Sequence, residues 1–200
     1  MPRALRLETV LVVGGLIAWA SPAQAQTTSA TKTLPVTGNT PPVCAVGAPR
    51  VEGGNQINFR GLSGNTLQID RMVDPATLAV AAASVDVKFD AVCNYPHRLR
   101  LETQNNGLWP TVQRAAPPAP GFASAVPYRA TVTWGTVNGV LNADAQSRRV
   151  ADQFFNVDAP TAGQIDLRLA IAPGASNARD NAPLQAGDYA DTMRIFVEPR

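Results

Sequence analysis

Gly187-Asp-Tyr-Ala-Asp-Thr-Met-Arg-Ile-Phe196, followed by Val197-Glu-Pro-Arg200, is the stretch that decides the fold. Met193, Ile195 and Val197 alternate with Thr192, Arg194 and Phe196, the period of a β-strand with one half-buried face. Glu198, Pro199 and Arg200 close the sequence, so a sandwich built on this strand is expected to have a covered edge or a missing neighbour. The opposite end offers a candidate neighbour, a polar, Thr-rich extension. Such a pairing would suit strand exchange between copies.

Residues 1–25 read as a cleaved export signal. Arg3 and Arg6 give a basic start, Val10 to Ala20 a short apolar run, and Ala23-Gln24-Ala25 a small-x-small cleavage site. The apolar run falls short of the ~20 residues that span a bilayer, and no other stretch comes closer, so no stable membrane span is expected after cleavage. The mature chain then holds roughly 175 residues, the size of one domain. Its expected parts are an extension at 26–42 and a β-domain at 43–200.

The chain carries 17 Lys and Arg against 15 Asp and Glu. With Arg3, Arg6 and Glu8 removed it is near neutral. Arg148-Arg149 is the one adjacent basic pair, so there is no basic stripe for nucleic acid. Charged residues make up only 16%, while Gly, Pro, Thr and Val are plentiful, an all-β composition. Cys44 and Cys93, the only cysteines, are expected to form a disulfide in an oxidising compartment. Closing a loop of about 49 residues stabilises the fold by about 4 kcal/mol in the chain-entropy view. Metal binding is disfavoured, because there is no CxxC and the single histidine, His97, stands without clustered ligands. No cofactor is expected.

Short strands follow the extension. Ile57 and Phe59 alternate after Gly53-Gly54-Asn55, and Leu67 and Ile69 after Gly64-Asn65. In Ser84–Val92, Val85, Val87, Phe89 and Ala91 share one face. Leu99, Leu101 and Thr103 alternate with Arg98, Arg100 and Glu102, which predicts a hairpin partner for that strand across Asn94-Tyr95-Pro96. Asp74 to Ala83 allows one short helical turn. Asn105-Asn106-Gly107 reads as a turn, and the Pro-rich 115–121 segment as a stiff exposed loop. Tyr128, Ala130, Val132 and Trp134 form another alternating set. Asn138-Gly139 then predicts a turn, with a polar stretch to Arg149. Ile165, Leu167, Leu169 and Ile171 alternate before the final strand. About seven strands with irregular turns make an antiparallel sandwich.

Catalytic constellations are missing. Ser63 lacks the Gly-x-Ser-x-Gly spacing of a nucleophile elbow. His97 after its proline turn reads as a surface histidine. Asp188 and Asp191 lie three apart, on opposite faces of a strand, and cannot flank one substrate. Their expected roles are a turn cap for Asp188 and backbone N–H bonds for Asp191. No enzyme activity is expected.

Taken in order, these pieces resemble the spore coat protein U domain, whose best-understood members are subunits of archaic (Csu-type) chaperone–usher pili. The matching pieces are Thr33-Leu-Pro-Val-Thr37, Val43-Cys44-Ala-Val46, Val85 to Cys93, Leu99-Arg-Leu101, Asn106-Gly107, Pro127-Tyr128 and Gly187-Asp-Tyr-Ala-Asp191. They cover nearly the whole mature chain. The resemblance implies an incomplete immunoglobulin-like β-sandwich lacking its last strand and completed by a donor strand from another chain. It implies a periplasmic chaperone, an outer-membrane usher and neighbouring pilin subunits as partners, with passage through the periplasm to a surface fibre.

Carried over, the donor face is Leu34, Val36, Gly38 and Thr40, and the acceptor-groove strand is Met193, Ile195 and Val197. The donor departs from the family, which offers about four apolar residues where this chain has two large ones. Pro35 also lacks an N–H for the ladder. A minor or tip-proximal subunit and a secreted member that never polymerises therefore both remain open. The Cys93-Asn-Tyr-Pro-His-Arg98 turn and Asn106-Gly-Leu108 resemble minor more than major subunits. The competing reading is a stand-alone secreted or adhesin-like binding module using Trp109, Trp134 or Phe122. Trp134, in phase with Val132, reads as core, and Trp109 beside a turn as exposed.

Overall fold

The computed structural model describes residues 31–51, 56–112 and 118–200. The signal segment, the Gly53-Gly54-Asn55 turn and the first part of the Pro-rich loop lie outside them, as does the start of the extension. Among the described residues there is no helix. The strands are β1 (Cys44–Val46), β2 (Arg50–Val51), β3 (Phe59–Ser63), β4 (Thr66–Ile69) and β5 (Ala83–Cys93). Then come β6 (His97–Thr103), β7 (Trp109–Pro110), β8 (Tyr128–Trp134), β9 (Val137–Ala143) and β10 (Ala151–Val157). β11 (Thr161–Ile171), β12 (Tyr189–Ala190) and β13 (Met193–Pro199) complete the order.

The larger sheet runs β1-β5-β11-β8-β9, with β2 also on β5, and the smaller runs β10-β6-β13; every pairing in both is antiparallel. β1 and β2 are two pieces of one broken edge strand, interrupted at Gly47-Ala-Pro49, where Pro49 has no N–H to give. The sheets share one core. Val85 and Val87 from β5, Leu99 and Leu101 from β6, Val132 and Trp134 from β8, and Ile165 and Leu167 from β11 are all buried in it. A second, smaller core of Val80, Ala83, Ala123, Val126, Ile171, Ala182 and Leu184 closes one loop-rich region.

Alternation predicts β5, β8, β11 and β13 well, but two expectations fail for a physical reason. β6 is not the hairpin partner of β5. The Asn94–Pro96 turn carries the chain from the larger sheet to the smaller, where β6 pairs with β10 and β13. Both edges of β5 are already occupied, by β1 and β2 on one side and β11 on the other. Strand period alone does not distinguish a neighbour in the same sheet from one facing it across the core. Asn138-Gly139 is no turn: both residues sit inside β9, and the chain reverses at Gly135-Thr136, where Gly135 takes φ 57°. Gly139 is required by a close approach, since a Cβ there would run into the Phe155 ring of β10. Asp74 to Ala83 holds the one short turn allowed it, at 75–77, and no helix. The Asp74 carboxylate accepts the N–H groups of Ala76 and Thr77, one bond joins Leu78 N–H to the Asp74 carbonyl, and Leu78 then turns to φ 58°.

Cys44 and Cys93 are disulfide-bonded and stand directly opposite one another in the β1–β5 register. Beside the bridge, the Asn94 side chain accepts from Val43 N–H at 2.8 Å and donates to the Pro41 carbonyl at 2.9 Å. The bond thus ties a short, exposed edge strand that few apolar contacts hold. Cys93→Ser is expected to lower unfolding free energy by about 3 kcal/mol, measured by denaturant melts of oxidised wild type and variant.

Candidate functional site

The site that the fold singles out is the outer edge of β13. Its register on β6 places Met193 opposite Thr103, Ile195 opposite Leu101 and Val197 opposite Leu99. Since Leu99 and Leu101 are fully buried, Met193, Ile195 and Val197 share their inward face, yet each is only half-buried. Gln104 N–H donates to the Thr192 carbonyl at 2.9 Å, which sets the phase of the ladder. In an antiparallel pair the backbone groups of alternate residues point to the same side, so Arg194, Phe196 and Glu198 bond toward β6. The N–H and C=O groups of Met193, Ile195 and Val197 then point to the other edge. Among the described residues no strand pairs with that edge, although β1 lies close by.

The opposite face of the same strand is polar and tightly paired. Arg98 and Arg100 hold Glu198 at 2.9 and 2.8 Å, and Glu102 is held by Arg100 at 2.6 Å and Arg194 at 2.9 Å. The Arg100 guanidinium lies 3.9 Å from the Phe196 ring centroid and 5.8 Å from that of Phe154. Hydrogen bonds from Arg100 and then Arg98 pull the Glu198 carboxyl below the ordinary carboxylate range. Burial works against the Arg100 charge, but Glu198 and Glu102 outweigh it and the group is raised.

A carboxylate whose folded value is depressed stabilises the fold above its unfolded pKa and stops doing so as pH falls through the folded value. The difference in melting temperature between wild type and Glu198→Gln is therefore expected to be largest at neutral pH. It should shrink as the solution is acidified below the ordinary carboxylate range, and thermal melts across pH check it.

Asp191 fixes where β13 begins. Its Oδ2 accepts from Thr103 Oγ1 at 2.5 Å, Tyr128 OH at 2.8 Å and Gly107 N–H at 3.2 Å. Its Oδ1 accepts from Thr192 N–H at 2.7 Å and Asn105 N–H at 2.9 Å. One carboxylate thus joins the ends of β6 and β13, the start of β8 and the 105–107 turn, where Asn106 and Gly107 have positive φ. Burial, followed by the Asp191 charge, drives the Tyr128 hydroxyl far above its ordinary value, so it remains a donor. The expected backbone bonds of Asp191 are present; the two hydroxyl partners were not legible, because Thr103 and Tyr128 lie far off in sequence.

The other nominated residues fall as follows. Leu34 and Val36 are 79% and 91% exposed, and Gly38 and Thr40 are also exposed; residues 31–43 belong to no strand. His97 is fully buried, a correction to its surface assignment. Its ring lies 4.8 Å from that of Trp134 and its Nδ1 pairs with the Tyr95 carbonyl at 2.7 Å. The signal was available, because His97 shares the inward phase of Leu99 and Leu101. Trp134 is core as expected, whereas Trp109 is half-buried, its indole nitrogen shielded in the β7–β12 ribbon. Phe122 is 37% exposed.

No described group of His, Cys, Asp and Glu is arranged to hold a metal ion, and no described helix is long and apolar enough to cross a membrane. Comparison of the chain with family models, curated proteins and solved structures finds no match.

Proposed function

We propose that this chain is a non-enzymatic structural subunit, of the minor kind, of a surface pilus assembled by the chaperone–usher route and serving adhesion and biofilm formation. In this reading the sandwich is immunoglobulin-like and lacks one strand. A periplasmic chaperone first covers the edge of β13. At the outer-membrane usher, the extension of a neighbouring subunit replaces it. Export and residence in the periplasm and then the fibre follow from that route.

One observation carries the reading. β13 combines an unladdered backbone edge with an apolar inward row that is only half-buried. A strand laid there would satisfy the outward groups of Met193, Ile195 and Val197 and cover their side chains, which is β-augmentation. The exposed Leu34 and Val36, two residues apart on a polar segment, have the period such a strand needs. The resemblance of the ordered motifs to the spore coat protein U domain points the same way.

Produced in the periplasm without a strand-donating partner, the mature chain is expected to aggregate or be degraded, because an unpaired apolar edge templates association. Co-production with a strand-donating periplasmic chaperone should yield a soluble one-to-one complex. A soluble monomer that melts cooperatively without any partner would overturn the subunit reading and favour a stand-alone secreted module.

A further inference from the structure

A hollow of ≈ 660 Å³ lies beside the smaller core, bounded by the turn after β4, the 79–82 segment and the 173–181 loop. It shares no residue with β13, and its reading does not depend on strand exchange. Its volume falls within the ~300–1,000 Å³ of small-molecule sites. Among its lining residues, Ile57, Ala81, Ala82 and Pro173 present apolar side chains.

The other lining residues are mostly polar. Asn58 and Asn181 both line the hollow in the left-handed region, at φ 59° and 58°. The Asn58 carboxamide holds Arg71 from both sides, accepting from its N–H at 2.9 Å and donating to its carbonyl at 2.7 Å. The Arg71 guanidinium itself makes no hydrogen bond or ion pair with a described residue. Asp74 lines the same hollow, its carboxyl lowered by the backbone N–H groups of Thr77 and Ala76 and, more weakly, by the Arg71 charge, so it stays a charged acceptor. Asp70 is paired with Arg60 at 2.6 Å.

The hollow therefore offers the Arg71 fork of donors, the Asp74 carboxylate as acceptor and almost no net charge, beside apolar side chains. A free anion would meet Asp74, and a free cation would meet Arg71. A ligand with many hydroxyls and an apolar face satisfies all of them at once. We propose that this hollow binds a neutral sugar, with Arg71 donating to adjacent hydroxyls, Asp74 accepting from them, and Ala81 and Ala82 packing against the C–H face of the ring.

The test is saturation-transfer NMR on the exported, disulfide-bonded protein in whichever soluble form it is purified, partner-bound or free. The probes are glucose, galactose, mannose, N-acetylglucosamine and their disaccharides, with glucuronate, sialic acid and inorganic phosphate as charged comparators. At least one neutral sugar should bind, and Arg71→Ala should weaken it about tenfold or more. Ala82→Leu, which fills the hollow from an exposed lining position, should do the same while the melting temperature stays near wild type. Arg149→Ala, on a distant loop, should leave binding unchanged. Binding of only the charged probes overturns the proposal, as does absence of neutral-sugar binding at tens of millimolar, or binding that survives Ala82→Leu.

Discussion

Leu34→Asp and Val36→Asp together are expected to abolish docking of the extension onto a neighbouring subunit while leaving the chain's own sandwich intact. Both side chains are almost fully exposed, so the substitutions remove no packing within the chain. Under the strand-donation proposal the same side chains enter an apolar groove, where an unpaired carboxylate is far costlier than a neutral polar group. A loss of at least about 4 kcal/mol, or a thousandfold in affinity, follows. Deleting residues 26–42 should match the double variant, since the deletion removes the inserting strand and keeps the groove. Lys32→Ala should do little. Thr40→Val should tighten docking by up to about 1 kcal/mol by exchanging a hydroxyl for a methyl. Competition between labelled extension peptides for a purified chaperone–subunit complex measures all of these.

The second large effect belongs to Asp191→Ala. Five hydrogen bonds end on this carboxylate, two from side-chain hydroxyls and three from backbone N–H groups. Removing it takes the acceptor from the Tyr128 hydroxyl at the start of β8, from the Gly107 N–H and from the Thr103 hydroxyl at the buried end of β6, which still accepts from Asn106 N–H. Each stranded group costs about 1–3 kcal/mol, so a loss of about 4 kcal/mol is expected, read by chemical denaturation. Asp191→Asn should recover only part of it, because its amide nitrogen replaces one acceptor with a donor facing donors. Since Asp191 sets the start of β13, the variant should also weaken strand acceptance. Tyr128→Phe, which removes a single partner, should lower stability without moving β13.

Much of this architecture was legible because alternation reports burial directly. Val85, Val87 and Ala91 in β5, and Ile165 and Leu167 in β11, lie buried on the face their period assigned. What alternation cannot report is which strand lies beside which. β6 was assigned to the edge of β5 because the two are adjacent in sequence, while the larger sheet had already filled both edges of β5. Asn138-Gly139 misled for a related reason: glycine serves both turns and close contacts, and only the Phe155 ring, far along the chain, decides between them. β10 escaped notice because its exposed run, Asp152 to Phe154, hides the inward Phe155 and Val157. The edge residues Met193, Ile195 and Val197 were named correctly as a strand with one apolar face. That the backbone of those same three residues points away from β6 needed the register.

Amide hydrogen exchange at β13 tests the central claim most directly. The ladder phase predicts that, in dilute protein just released from its strand-donating partner and pulse-labelled before it aggregates, the amides of Arg194, Phe196 and Glu198 exchange slowly and those of Ile195 and Val197 quickly. Adding a saturating peptide of residues 31–42 should protect Ile195 and Val197 and leave their even-numbered neighbours unchanged. If Ile195 and Val197 are already protected without peptide, or stay fast when it is bound, the edge of β13 is not an acceptor and the strand-exchange account fails.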